Sequence, residues 1–216
     1  MEAEVVVVGL GPGGEEVAEQ LAEAGLDVVG IEAELVGGEC PYWGCIPSKM
    51  MVRAAGLLAE GRRVPGMAGT SVVTPDWSPV ARRIRAEATD TWDDTVAADR
   101  LREKGGRLVR GRARVAGPRA VEVDGETVTA RRGLVLATGQ RAWVPPMFEG
   151  VPHWTNRDAI AADRVPTSLL SSAVARSGSS WDRSWRVSVP PSRSSRKVIV
   201  WPWPKSPRRP SSSPRC

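Results

Sequence analysis

The sequence predicts an α/β fold: a parallel sheet with helices on it, then a β-hairpin or meander, then a tail without regular structure. Three observations carry this. Val5-Val6-Val7-Val8 runs straight into Gly9-Leu10-Gly11-Pro12-Gly13-Gly14 and an amphipathic stretch; a second apolar run follows and ends on an acid; and the composition changes sharply near Leu170.

A continuous β-branched run suits a strand buried on both faces of a parallel sheet. The glycines after it fit G-x-G-x-x-G. A helix is expected from Glu15 to Ala24, with Val17, Ala18, Leu21 and Ala22 on one face and Gly25 ending it. Leu26-Asp27-Val28-Val29-Gly30-Ile31 reads as the second strand, closing on Glu32, 23 residues after Gly9. That order is the pattern of a dinucleotide-binding unit. Gly9 permits a tight turn, Gly11 lets backbone approach a pyrophosphate, and Gly14 lets the helix pack close. The helix N-terminus offers free amides and a positive dipole end to phosphate.

Next comes Gly37-Gly38-Glu39-Cys40-Pro41-Tyr42-Trp43-Gly44-Cys45-Ile46-Pro47-Ser48-Lys49, with two of the three cysteines. Two buried structural thiols, or half of a metal site, are the alternatives to a redox pair. A metal site needs further ligands at suitable spacing, and the body offers one histidine, His153, far along the chain, so no metal is expected. Four intervening residues let the chain curl so that two thiols meet, with Gly44 easing the bend. Pro47-Ser48-Lys49 introduces a helical run from Met50 to Glu60. Thiols near a helix N-terminus and a lysine are expected to have a depressed pKa.

The glycine fingerprint followed by Gly-Gly-x-Cys-x-x-x-x-Cys-x-Pro-Ser-Lys resembles the N-terminal half of the pyridine nucleotide-disulfide oxidoreductases, over roughly residues 4–170. That family includes dihydrolipoamide dehydrogenase, glutathione reductase and mercuric reductase. The resemblance implies a Rossmann-like FAD-binding domain. It places the FAD at Gly9, Gly11, Pro12, Gly13 and Gly14, at Glu32 and Ala33 by the adenosine ribose, and at Gly38 and Glu39. It implies that Cys45 is the thiol against the flavin, that Cys40 exchanges with a substrate disulfide or dithiol, and that Lys49 lies by the flavin. Hydride would pass between a nicotinamide, NAD(P), and the flavin, and electrons between the flavin and the cysteine pair. The chain departs from many lipoamide dehydrogenases at Glu39, Tyr42 and Trp43, where they carry Thr, Asn and Val.

From Gly61 to Gly69 a loop is expected. Trp77 to Glu103 reads as largely helical, with Val80, Ile84, Trp92, Val96 and Leu101 buried, and with Asp93, Asp94, Arg82, Arg83 and Arg85 on solvated faces. Arg107 to Val115 begins a strand-rich region. Ala120–Val123 and Thr127–Ala130 alternate around Asp124-Gly125, a hairpin signal. Gly133 to Gly139 reads as another buried strand ending in a small-residue turn. By the resemblance, Gly111 and Ala113 contact the adenine, and Ala137, Thr138 and Gly139 approach the flavin nucleotide. His153, in a loop between Pro152 and Trp154, is not expected to be catalytic.

The net charge of +5 divides unevenly. Residues 1–170 hold 20 basic and 24 acidic side chains; residues 171–216 hold 10 and 1, with 14 Ser, 7 Pro and 8 Arg. By composition the tail is disordered, and a basic RNA-binding arm carrying Trp181, Trp185, Trp201 and Trp203 is the alternative of another class. The genetic code offers a better account. Taking the last base of each codon as the first of the next, Ser171 to Val189 permits VIGGGAVGVELGQVLARFG, and the reading on through Arg196 permits AAVTVVE. That is a second strand–glycine–helix–strand–acid unit, where the family places its NAD(P) domain, so the tail is expected to derive from a frameshift near Leu170.

The expected organisation is an FAD-binding domain with a redox-active cysteine pair at 1–170 and a frameshift-derived tail at 171–216. The expected function is that of an FAD-dependent disulfide oxidoreductase, foremost dihydrolipoamide dehydrogenase-like, with mercuric or another disulfide reductase as the alternative. The isolated chain is expected to be inactive alone. Its partners would be a small-molecule or protein-bound disulfide or dithiol and a second copy in a homodimer, with no nucleic acid. The acidic N-terminus and the short apolar run argue against a secretory signal or membrane span, so the cytoplasm is expected.

Overall fold

The computed structural model describes residues 1–173 and 197–201. Its main sheet has six strands in the order β3-β2-β1-β6-β5-β4. They are β1 (Glu2–Val8), β2 (Val28–Glu32), β3 (Arg107–Arg110), β4 (Ala113–Gly117), β5 (Ala120–Val123) and β6 (Glu126–Leu136). β1, β2, β3 and β6 run parallel, whereas β4, β5 and β6 form an antiparallel meander.

The valine run is buried on both faces, as its composition requires. Val5 and Val7 pack with Ala18 and Ala22 of helix α1 (Pro12–Glu23) and with Ala98 and Leu101 of α5 (Thr95–Glu103). Val6 and Val8 pack on the other face with Val121, Val123 and Val128 of the meander. Ala3 shares that second face although it is an odd number of residues from Val6. The register against β6 shifts at this point, where three steps of β6 from Ala130 to Gly133 stand opposite two of β1 from Ala3 to Val5. Val6, Val7, Val28 and Val29 are fully buried, each contributing about 1.5–3 kcal/mol of transfer free energy.

β6 differs from expectation. The hairpin arm and the buried strand expected as separate elements are one strand of 11 residues. Its first part pairs with β5 while its length from Thr129 to Leu136 pairs with β1. The exposed Arg131-Arg132 pair suggests an interruption, but arginines at a sheet margin keep extended backbone and hold their charges in solvent. The hairpin turn is as expected: Asp124 and Gly125 have φ of 49° and 85°, which suits a type I′ turn.

Between Trp77 and Glu103 the chain is broken. It forms α4 (Ser78–Arg83), a wide helical turn (Ile84–Ala88), a short tight turn (Asp90–Trp92) and then α5. Asp90, Thr91 and Trp92 all have positive φ, which ends any helix. Ile84 and Leu101 are buried as expected, whereas Val96 is 72% exposed. The break changes the phase of the apolar stripe, so α5 buries Ala98 and Leu101 instead. Asp94 is also not on a solvated face, as described below.

Helices α3 (Cys45–Arg63), α4 and α6 (Asn156–Ala161) meet in a further cluster around Met51, Ile84, Ala159 and Ile160. A three-stranded parallel sheet joins β7 (His153–Trp154), β9 (Lys197–Trp201) and β8 (Leu169–Ala173). Two of its strands thus include residues of the tail. The remaining expectations for the tail, at 174–196 and 202–216, lie outside the described residues. Among the described residues no helix is long and apolar enough to cross a membrane.

Candidate cofactor and dithiol site

The carboxyl ends of β1, β2 and β6 converge on one cleft, where ligands bind in sheets of this kind. The Gly9 amide donates to the Ile31 carbonyl at 2.8 Å and the Ala137 amide to the Val8 carbonyl at 2.8 Å, tying the three strand ends together. Gly9 has φ of +88°, and a Cβ there would lie 2.3 Å from the Ala137 oxygen. Gly14, in the first turn of α1, leaves no room either: its Cβ would lie 1.9 Å from the Gly9 oxygen. These contacts give both glycines their expected roles in turn and close packing. A Cβ on Gly11 would meet only the Gly38 Cα, at 3.9 Å, so the backbone there is open to a ligand.

The cleft has a volume of about 350 Å³. Of the residues expected to bind the cofactor, Gly9, Gly11, Pro12, Glu32, Ala33, Gly38, Glu39, Gly111, Ala113, Ala137, Thr138 and Gly139 line it. Gly13, Gly14, Lys49, Cys40 and Cys45 do not line it. Gly13 and Gly14 stand in the first turn of α1, and Lys49 is exposed on α3 one turn after Cys45. Glu32 accepts from the Leu10 amide at 2.6 Å and from the Glu34 amide at 2.8 Å. Each oxygen keeps a lone pair for a hydroxyl donor. Gly111 joins this corner through its amide, which donates to the Glu32 carbonyl at 3.0 Å.

The cysteines stand on consecutive helical pieces. Cys40 is in α2 (Glu39–Trp43), Cys45 opens α3, and Gly44 alone separates the two helices, with φ of −137° and ψ of −107°. Cys45 is exposed and Cys40 half-buried. Burial pushes the Cys40 thiol above its ordinary value; the neighbouring Cys45 adds to this and Lys49 opposes it weakly. Cys40 therefore shifts upward rather than downward as expected, because desolvation outweighs the pull of Lys49.

Sequence reasoning missed Asn156 and Arg157. Arg157 lines the cleft and pairs with Glu39 at 2.5 Å and Glu34 at 2.7 Å. Nothing local marks these residues, because their partners lie over a hundred positions away. His153 has its Nδ1 2.9 Å from the Val151 carbonyl oxygen and does not line the cleft. Among the described residues no cluster of His, Cys, Asp and Glu could hold a metal ion.

A cleft at the strand ends, with the start of α1 at its edge and an acid at the end of β2, is the usual place for a nucleotide cofactor in such sheets. Residues 3–180 match the pyridine nucleotide-disulphide oxidoreductase family, and the chain belongs to that family. It is 32% identical over 176 residues to dihydrolipoyl dehydrogenase of Haloferax volcanii, which covers 77% of this chain and 36% of that protein. It is 30% identical to mercuric reductase of Acidithiobacillus ferrooxidans, over 81% of this chain and 34% of that one. The HOCl-induced flavoprotein disulfide reductase RclA from Escherichia coli shares the fold, with a TM-score of 0.70 at 20% identity over 91% of this chain and 41% of that chain. The chain thus spans about a third to two-fifths of the length of these relatives.

Proposed function

We propose that this chain carries the FAD- and disulfide-handling part of a pyridine nucleotide-disulfide oxidoreductase of the dihydrolipoyl dehydrogenase kind. The observation that carries this reading is the placement of Cys40 and Cys45 on two helices joined at Gly44, beside the cleft at the strand ends that Glu39 and Trp43 line. Bound FAD would supply or accept the electron pair. Glu32 and the turns at Gly9, Gly111 and Thr138 would hold it, and the start of α1 would face its phosphates.

The thiols' part balances as ordinary exchange. The Cys40 thiolate attacks one sulfur of a substrate disulfide and releases the first substrate thiolate. The Cys45 thiolate then attacks the Cys40 sulfur and releases the second. Two electrons pass to the substrate, and the Cys40–Cys45 disulfide remains to be reduced. Cys45 is assigned the flavin side and Lys49 a place near it. In the whole reaction NAD(P) would be the electron partner and the assembly a homodimer, parts that family membership supports, and the cytoplasm is the compartment proposed. The second frame of residues 171–196 further supports a frameshift near Leu170, which resequencing across that codon checks: an intact frame matching this chain sinks it.

The test is spectroscopic. The full chain, loaded with FAD and freed of excess, is expected to develop a long-wavelength absorbance band on two-electron reduction. Cys45→Ser is expected to abolish the band, whereas Cys40→Ser, which has no disulfide to take the electrons, is expected to show it before reduction and lose it as the flavin is reduced. Failure to retain flavin, or a band indifferent to both substitutions, overturns the reading.

A further inference from the structure

We propose that Asn156 and Arg157 are positioning residues for Cys40: from the first turn of α6 they grip Glu39 and Trp43, the residues bounding its helical turn, and so set how readily the Cys40–Cys45 pair closes. This rests on the redox reading of the pair given above.

The turn needs an external hold. α2 is five residues long, lies between Gly38 and Gly44, and has no side-chain cap. A helix of that length has no stability of its own. Its inner side is anchored by buried Tyr42 and by Trp43, stacked on Trp92 at 5.1 Å between ring centroids.

Its outer side is held from α6. Asn156 Nδ2 donates to Glu39 Oε2 at 3.0 Å and to the Trp43 carbonyl at 2.8 Å. Arg157 donates to Glu39 Oε1 from Nε at 3.0 Å and from Nη2 at 2.5 Å. The same guanidinium lies 5.3 Å from the Trp43 ring centroid. The fork, the amide and the cation–π contact bracket the segment from both ends. The base is rigid: Thr155 and Asp158 form a capping box, with both contacts to Asp158 at 2.7 Å, and Ala159 and Ile160 are 1% exposed.

A thiol on a held turn meets its partner at higher effective concentration than one on a loose turn. Releasing the hold should therefore disfavour the disulfide. The full chain is equilibrated in glutathione buffers, where the two thiols and one oxidised glutathione give the Cys40–Cys45 disulfide and two reduced glutathiones. Alkylation and peptide mass spectrometry give the equilibrium constant.

Arg157→Gln is expected to lower that constant by about threefold to tenfold, tenfold being about 30 mV. Glu39→Gln should match it, the double variant should be no worse than either alone, and Arg157→Lys should recover part of the loss. Hydrogen exchange across residues 39–43 should quicken in step. A constant within about twofold of the original in Arg157→Gln and in Asn156→Ala, with unchanged exchange, overturns the proposal. Original thiols that never pair at any poise overturn the redox reading instead, an outcome distinct from pairing that ignores the variants.

Discussion

Asp94 Oδ2 accepts a 2.6 Å hydrogen bond from the amide of Val36, 58 residues earlier. The same carboxylate pairs with Arg110 at 2.7 Å and is only 12% exposed. It thereby fastens the loop after β2 to the end of β3 and the start of α5, behind Glu34 and Leu35 of the cleft wall. Asp94→Ala is expected to cost roughly 1–3 kcal/mol in urea unfolding, chiefly because it strands the Val36 amide, whereas Arg110 keeps the Glu34 carbonyl at 2.9 Å. Asp94→Asn keeps an acceptor and should cost less. Equal losses would show that the charge carries the effect.

Gly14→Ala is a harsher change. Its methyl would have to enter the space of the Gly9 oxygen, and Gly9 cannot retreat because Ala137 stands behind it. The variant is expected to lose roughly 2–4 kcal/mol and, if folded, to bind FAD at least tenfold more weakly. Thermal melts and flavin fluorescence titration would check both. Gly13→Ala, which meets nothing within 4 Å, serves as the control and should be near neutral.

What the chain shows before folding depends on range. The β1–α1–β2 unit and the cysteine segment are contiguous, so spacing and glycine placement reveal them. The hairpin at Asp124-Gly125 is legible for the same reason. The grip of Asn156 and Arg157 on Glu39 joins residues 117 and 118 positions apart. An arginine, an asparagine and a glutamate are each ordinary surface residues until the fold brings them together. Asp94 was misread as solvated on the same grounds. The break at Asp90–Trp92 was hidden because apolar spacing continues across it while the backbone does not.

The Cys40 thiol gives a pH test. Burial raises it above the ordinary 9.0, so its thiolate should be scarce at neutral pH. The alkylation rate at Cys40, followed by peptide mass spectrometry with iodoacetamide, is expected to keep climbing beyond pH 9. A plateau reached below that pH would sink the prediction.

Two carboxylates on α1 shift in opposite directions. Burial works to raise Glu19, but Arg100 at 2.7 Å and Lys104 at 3.0 Å outweigh it and hold the carboxyl below its ordinary 4.5. Its stabilisation is present above the unfolded value and is lost as pH falls through the depressed one. Glu19→Gln should lower stability at pH 7 by roughly 1–3 kcal/mol and flatten the acid limb of the melting profile. Glu15 is raised, chiefly by burial, with Oε2 3.4 Å from Arg100 but in no hydrogen bond. Its stabilisation belongs to the protonated form and is lost as pH rises, so Glu15→Gln should raise the melting temperature at neutral pH.

Strand β6 works as a ruler. Its far end is indexed by the pairing of Val121 with Val128, and its near end delivers Ala137, Thr138 and Gly139 above Gly9. Leu134 packs on the meander side and Val135 on the helix side. Between Ala130 and Gly133 β6 holds one residue more than β1 does between Ala3 and Val5, so Arg131-Arg132 carries a spare residue, and beyond it Leu134 to Leu136 pair with Val6 to Val8. The height of the turn at the cleft is therefore set by the four rungs that β6 shares with β1 beyond that point, and one residue lost at Arg131-Arg132 should be absorbed where one lost after Gly133 should draw the turn back by about 3.3 Å.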